Sequence, residues 1–114
     1  MTFDRGDYAR VEAIPDKPRL AEALYRRALG YHPDARAYLG LGILNQKAGR
    51  YAESVEVLAQ GMSDFPGDEQ LRICLAVSQM NLGRFREALA LLAHCLSRPE
   101  AQRLAAACRN AMGG

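Results

Sequence analysis

Apolar and small residues recur at three- and four-residue spacing along most of this chain, which is the pattern of helical faces. Ala37, Leu41, Leu44 and Ala48 fall on one such face. Gly49-Arg50 interrupts the run, because glycine tolerates the backbone angles that end a helix. Tyr51, Val55, Leu58 and Met62 then mark a second face, and Phe65-Pro66-Gly67 stops it. Neither stripe can be buried by its own helix, so the spacing predicts two helices folded into a hairpin. A second hairpin follows. Asp68 is placed to cap a helix from Glu69 to Leu82 with Leu71, Leu75, Ser78 and Leu82 inward. Its partner runs from about Arg84 to Leu96, with Phe85, Ala88, Leu92 and Cys95 inward.

The flanks follow the same grammar less fully. Pro15-Asp16-Lys17-Pro18 reads as a turn and a helix start, with Asp16 as cap and proline tolerated in the first turn. The helix from Arg19 to Leu29 ends at Gly30 to Pro33, and Asp34 caps the next. Residues 2–14 contain Asp4, Gly6 and Asp7, all poor helix formers, and read either as a degenerate helix or as an irregular start. Beyond the second hairpin, Ser97-Arg98-Pro99-Glu100 has the serine-to-glutamate spacing of a capping box. Ala101, Leu104, Ala105, Cys108 and Met112 then form an apolar stripe, with Gln102, Arg103, Arg109 and Asn110 mainly off it.

The two hairpins are copies. Gly49-Arg50-Tyr51 recurs as Gly83-Arg84-Phe85, 34 residues on, and Leu41, Glu53, Leu58 and Ala59 recur as Leu75, Glu87, Leu92 and Ala93. Leu41-Gly42 and Leu75-Ala76 give a leucine followed by a small residue. Tyr51 and Phe85 give the aromatic after the turn, Ser54 and Ala88 the next small position, and Pro66 closes the unit. A helix-turn-helix of 34 residues with these fixed places resembles the tetratricopeptide repeat (TPR). Ala21, Tyr25, Ala28 and Pro33 fit the second half of an earlier copy. The resemblance implies an all-α, right-handed array of helical hairpins, about seven helices in one domain spanning residues 1–114. It divides as a degenerate repeat at 2–34, repeats at 35–68 and 69–98, and a capping helix at 99–112. An end helix with one wet side suits a repeat array, whose last unit has no neighbour.

Composition narrows the function by exclusion. A net charge of +2 is too small to argue for nucleic acid or a membrane surface. No apolar run reaches the roughly 18 residues of a membrane helix, and the polar start lacks a hydrophobic signal segment. The expectation is a cytoplasmic protein. Three cysteines, an odd number, fit reduced thiols better than a disulfide framework. Cys74, Cys95 and Cys108 lack zinc-ligand spacing and read as small buried filler. His32 and His94 lie far apart in the repeat, and no HExxH, CxxC or phosphate-binding glycine loop is present. Asp64, Asp68 and Glu69 cluster at a turn where helix capping accounts for them, and Arg26, Arg27, Arg84 and Arg86 read as solvated helix faces. No catalytic residue, metal or cofactor is expected, and the chain is read as not an enzyme.

The resemblance supplies the candidate site instead. In tetratricopeptide-repeat proteins the first helix of each hairpin lines a concave surface that commonly receives a peptide or helix. Carried over by position, the lining is Arg36, Leu39, Ile43, Gln46 and Lys47 in one repeat. Gln70, Ile73, Val77, Met80 and Asn81 supply it in the next. Leu39, Ile43, Ile73 and Val77 make its middle aliphatic, which departs from the lysine and asparagine pattern of members that grip a C-terminal carboxylate. The reading is therefore a non-catalytic adaptor or scaffold that binds an apolar or amphipathic protein segment, with neither nucleic acid nor membrane as partner. Two alternatives stand beside it: a self-associating structural module, and an accessory domain of a larger protein or enzyme. An apolar groove could also be covered by the chain's own N-terminal segment.

Overall fold

The computed structural model describes residues 34–113, together with the isolated positions Ala23, Arg26, Arg27 and Gly30, which are helical and exposed. The degenerate hairpin and the Arg19 to Leu29 helix expected within residues 1–33 otherwise lie outside the described residues. Residues 34–113 form five helices, with no strand among the described residues: α1 (Ala35–Lys47), α2 (Tyr51–Asp64), α3 (Glu69–Asn81), α4 (Phe85–Leu92) and α5 (Pro99–Ala111).

The starts and stops have local causes. Asp34 holds extended backbone and its carboxylate accepts the Arg36 backbone N–H at 2.7 Å. Asp68 does the same for Leu71 at 2.9 Å. Each satisfies a donor that the first turn of a helix leaves without a partner. At the other end α1 and α3 close identically. Gly49 N–H reaches Gln46 C=O (3.0 Å) and Arg50 N–H reaches Asn45 C=O (2.8 Å). Gly83 and Arg84 reach Met80 and Gln79 at the same distances. This paired closure needs a left-handed residue, and both glycines have φ of 76°.

Two expectations fail after α3. The helix expected to run to Leu96 stops at Leu92, so α4 has eight residues where α2 has fourteen. His94 N–H turns back to Leu91 C=O and Cys95 N–H to Leu92 C=O, both three residues away, which tightens the last turn and ends it. The tightening drops Cys95 into the core under α5 and leaves Leu96 41% exposed. The capping box at Ser97 and Glu100 does not form either. Arg98 holds the N-cap backbone without a side-chain bond, and Pro99 opens the helix, a position where its missing N–H costs nothing.

Packing is consecutive, each helix against the next, with α3 also touching α1 and α5. Among the described residues two apolar clusters result. Tyr38, Leu58, Leu71, Cys74 and Leu75 fill the first, with Phe65 edge-on to Tyr38. Ile73, Ala76, Ala88, Leu92, Cys95, Ala101, Ala105 and Cys108 fill the second. Helix α3 feeds both and is buried on two sides, whereas α5 buries only Ala101, Ala105 and Cys108. The first hairpin closes because position 42 has no side chain: a methyl there would overlap the branch of Leu58. Gly61 does the same for Tyr38, whose Cβ would lie 2.8 Å from an added methyl.

Candidate binding face

The ten residues expected to line a groove fall into three groups. Leu39 and Ile43 on α1, and Val77 and Met80 on α3, are half-buried: each packs inward with one side and keeps surface on the other. Leu39 and Ile43 rest on the first cluster and Met80 on the second. Arg36, Lys47, Gln70 and Asn81 are exposed. Arg36 pairs with Asp34 at 3.6 Å, Gln70 accepts from Arg98, and Asn81 donates back to Val77 C=O. The last group departs from the expectation. Ile73 is 1% exposed, sealed among Ala76, Ala88, Ala101 and Ala105, so it offers no surface to a guest. Its helical position points toward the next helix, and α5 arrives from about 30 residues away to cover it. Gln46 is half-buried, and its amide is already engaged with α3.

That engagement is part of a polar cluster that the residue pattern alone did not assemble. Gln46 Nε2 donates to Ser78 Oγ (2.7 Å) and to Cys74 C=O (2.9 Å), with Cys74 Sγ at 3.3 Å. Ser78 Oγ lies 2.8 Å from Ser54 Oγ, and Ser54 donates to Gly42 C=O at 2.8 Å. Both serines are fully buried. A signal was available: Ser54 stands where the next repeat has Ala88, a hydroxyl on a face the periodicity marks as buried.

The chemistry of the region is quiet. Burial raises the Cys74 thiol to about 11, partly offset by the Gln46 hydrogen bond, and burial also raises Cys95 and Cys108. A thiol so placed stays protonated near neutral pH and is a poor nucleophile. The Tyr38 hydroxyl donates to the Asp64 carboxylate, which with burial pushes the phenol up to about 12. Among the described residues no three His, Cys, Asp or Glu side chains stand where they could share a metal ion. No helix among them is long and apolar enough to cross a membrane.

With this geometry in place, the chain can be set against known proteins. Two family models described as tetratricopeptide repeat match it, one over residues 16–69 and the other over residues 45–110. No curated protein sequence matches. Among solved structures it is similar to PcrH from Pseudomonas aeruginosa, at 22% identity and a TM-score of 0.61, over 96% of this chain and 91% of that one. It is equally similar to PcrH in complex with the chaperone binding region of PopB, again at 22% and 0.61, over 96% and 97% of the chains. PcrH in complex with the chaperone binding region of PopD gives 22% and 0.59, over 95% and 90%. At that identity the likeness is one of fold.

Proposed function

This chain belongs to the tetratricopeptide-repeat family, and from that premise we propose that it is a non-catalytic protein-interaction module, acting in the cytoplasm, that binds an apolar or amphipathic segment of a partner protein. The observation that carries the reading is the pairing of α1 and α3. Gln46 ties the two helices side by side, and each keeps two aliphatic side chains half in solvent: Leu39 and Ile43 on one, Val77 and Met80 on the other. Burying the remaining surface of four such side chains is worth part of the roughly 1.5–3 kcal/mol that full burial gives each, a contribution toward holding a helix or extended segment against its ordering cost. PcrH, similar in fold, has been seen with segments of two partner proteins, which supports a peptide as the guest. In this reading Ile73 and Gln46 shape the face from beneath, and Arg36, Lys47, Gln70 and Asn81 form its polar rim. Helix α5 packs against α3 and α4 and leaves Gln102, Arg103, Arg109 and Asn110 exposed.

The test is capture from the native host with the chain as bait, comparing wild type with Ile43→Asp/Val77→Asp. Both sites are partly exposed, so the double variant should keep its helical circular dichroism. Loss of one specific partner with the fold intact supports the reading. A variant that retains every partner contradicts it. Light scattering after gel filtration over a wide concentration range tests the rival, self-association. A dimer that the same double variant returns to monomer would assign the face to a second copy of the chain.

A further inference from the structure

The two places where consecutive hairpins meet can be aligned from their caps. Gln46 and Met80 each stand twelve residues after an aspartate N-cap, Asp34 and Asp68. Ser54 and Ala88 each stand four after an arginine N-cap, Arg50 and Arg84. Ser78 and Cys108 each stand ten after the caps Asp68 and Arg98. So one structural triad is Gln46, Ser54 and Ser78 where α1, α2 and α3 meet. The equivalent triad is Met80, Ala88 and Cys108 where α3, α4 and α5 meet. The second triad belongs wholly to an apolar cluster. The first is polar, with Ser54 and Ser78 buried.

The polar triad has a defined direction. A backbone carbonyl only accepts, so the one hydroxyl proton of Ser54 goes to Gly42 C=O. Ser54 Oγ must then accept from Ser78, and Ser78 Oγ in turn accepts from Gln46 Nε2. The second amide proton of Gln46 goes to Cys74 C=O. The chain of donors leaves α1 at Gln46, crosses α3 and α2, and returns to α1 one helical turn earlier, at Gly42. Gly42 C=O is also the acceptor that the i to i−4 helical pattern assigns to Gln46 N–H, so the chain ends on a carbonyl where two donors converge. Every hydroxyl in it donates once and accepts once, and bonds in such chains polarise one another.

Space does not demand these polar groups. Ala88 and Cys108 fill the equivalent positions at 0% exposure, so a junction of this kind can be filled by an apolar triad. What hydrogen bonds add is direction: they weaken steeply when donor and acceptor turn out of line, whereas apolar contact has no preferred angle. We propose that the Gln46–Ser78–Ser54–Gly42 chain of hydrogen bonds is a positioning device that holds α3 at one angle and register against the α1–α2 hairpin. The wall carrying Leu39 and Ile43 thereby faces Val77 and Met80 in one fixed geometry, while the apolar junction lets α5 adjust against α3 and α4. Its consequence for binding rests on the proposed binding face. The positioning itself does not.

The experiment transplants the second triad into the first, as the triple variant Gln46→Met/Ser54→Ala/Ser78→Cys, and measures backbone residual dipolar couplings of both proteins in solution. Couplings fitted separately to α1–α2 and to α3–α4 give the relative orientation and order of the two hairpins. No guest is needed, so failure of the binding reading leaves this result standing. The expected outcome is two intact hairpins whose mutual angle moves by more than roughly 10°, within the scatter open to packed helices, or whose relative order falls. The melting temperature should hold or rise, since apolar groups replace buried polar ones. Unchanged orientation and order would overturn the proposal, and so would a lowered melting temperature with unchanged orientation, which is what a merely stabilising role gives. Should the triple variant not fold, Gln46→Met alone, at the half-buried edge, carries the same measurement: a moved angle or lowered order supports the positioning role, and neither overturns it.

Discussion

The two described hairpins turn their corners alike and meet their neighbours differently. Both first helices end on a glycine at φ 76°, and the arginines that follow adopt the same backbone, φ −91° with ψ 67° and 66°. Yet α2 runs fourteen residues and α4 eight, and one junction is laced with hydroxyls where the other is dry. Turns are decided by a few adjacent residues, so a repeat in sequence repeats them faithfully. Helix length and junction chemistry are decided by what arrives from elsewhere in the chain, so copies diverge there. The family fixes the unit, and each contact between units is free to be rebuilt.

That contrast can be broken from several sides. The largest effect should come from the dry junction. Leu92 is fully buried between α4 and its neighbours, and Leu92→Ala should cost about 2–5 kcal/mol in urea denaturation, through a cavity that rigid helices cannot close. Next is the close approach within the first hairpin. Gly42→Leu should cost about 1–3 kcal/mol by overpacking against Leu58, and a thermal melt equal to wild type would remove Gly42 from that contact. The second hairpin already carries alanine at the matching position, Ala76, buried without exposure, so intolerance of a single methyl is specific to the first. A smaller and symmetric effect belongs to the caps. Asp34→Ala and Asp68→Ala should each cost about 1 kcal/mol, and by similar amounts, because both carboxylates accept one first-turn N–H.

The smallest effect is a slope with pH. Cys74 has its thiol raised from 9.0 to about 11, and Tyr38 its phenol from 10.0 to about 12. Both raised values favour the protonated group in the folded protein. Their contribution is fully present below the ordinary values and is lost as pH rises from 9 toward 12, where the unfolded chain releases its protons first. Denaturation midpoints should therefore fall across that window, and Cys74→Ala should flatten its lower half. A stability that climbs above about pH 9 would reverse the sign and refute the assignment.

Much of this was legible in the residues. Asp34 and Asp68 before periodic runs, and Gly49 and Gly83 after them, mark α1 and α3 to within a residue, because caps and left-handed stops are local chemistry. The end of α4 was not legible. Its stripe continues through Cys95, but Cys95 reaches the core by a tightened turn, and periodicity does not distinguish the two. The face fared similarly. Leu39, Ile43, Val77 and Met80 keep surface as their positions suggest, while Ile73 does not. Helical spacing tells which way a side chain points, not what comes to cover it, and the cover here is Ala101 and Ala105. Gln46 reads as a group facing a guest because a lone glutamine on a helix carries no sign of its partner. Its partner is Ser78, 32 residues away.

The central claim is that partner proteins meet this chain across α1 and α3. Photo-crosslinking tests it most directly, with a benzoylphenylalanine placed singly at Ile43 and Val77, and at exposed Glu56, Ala90 and Ala106 on α2, α4 and α5 as references. The account predicts one partner trapped from positions 43 and 77, at a segment apolar along one side, and little from the three references. The same partner trapped from α2, α4 or α5, with none from 43 or 77, would contradict it.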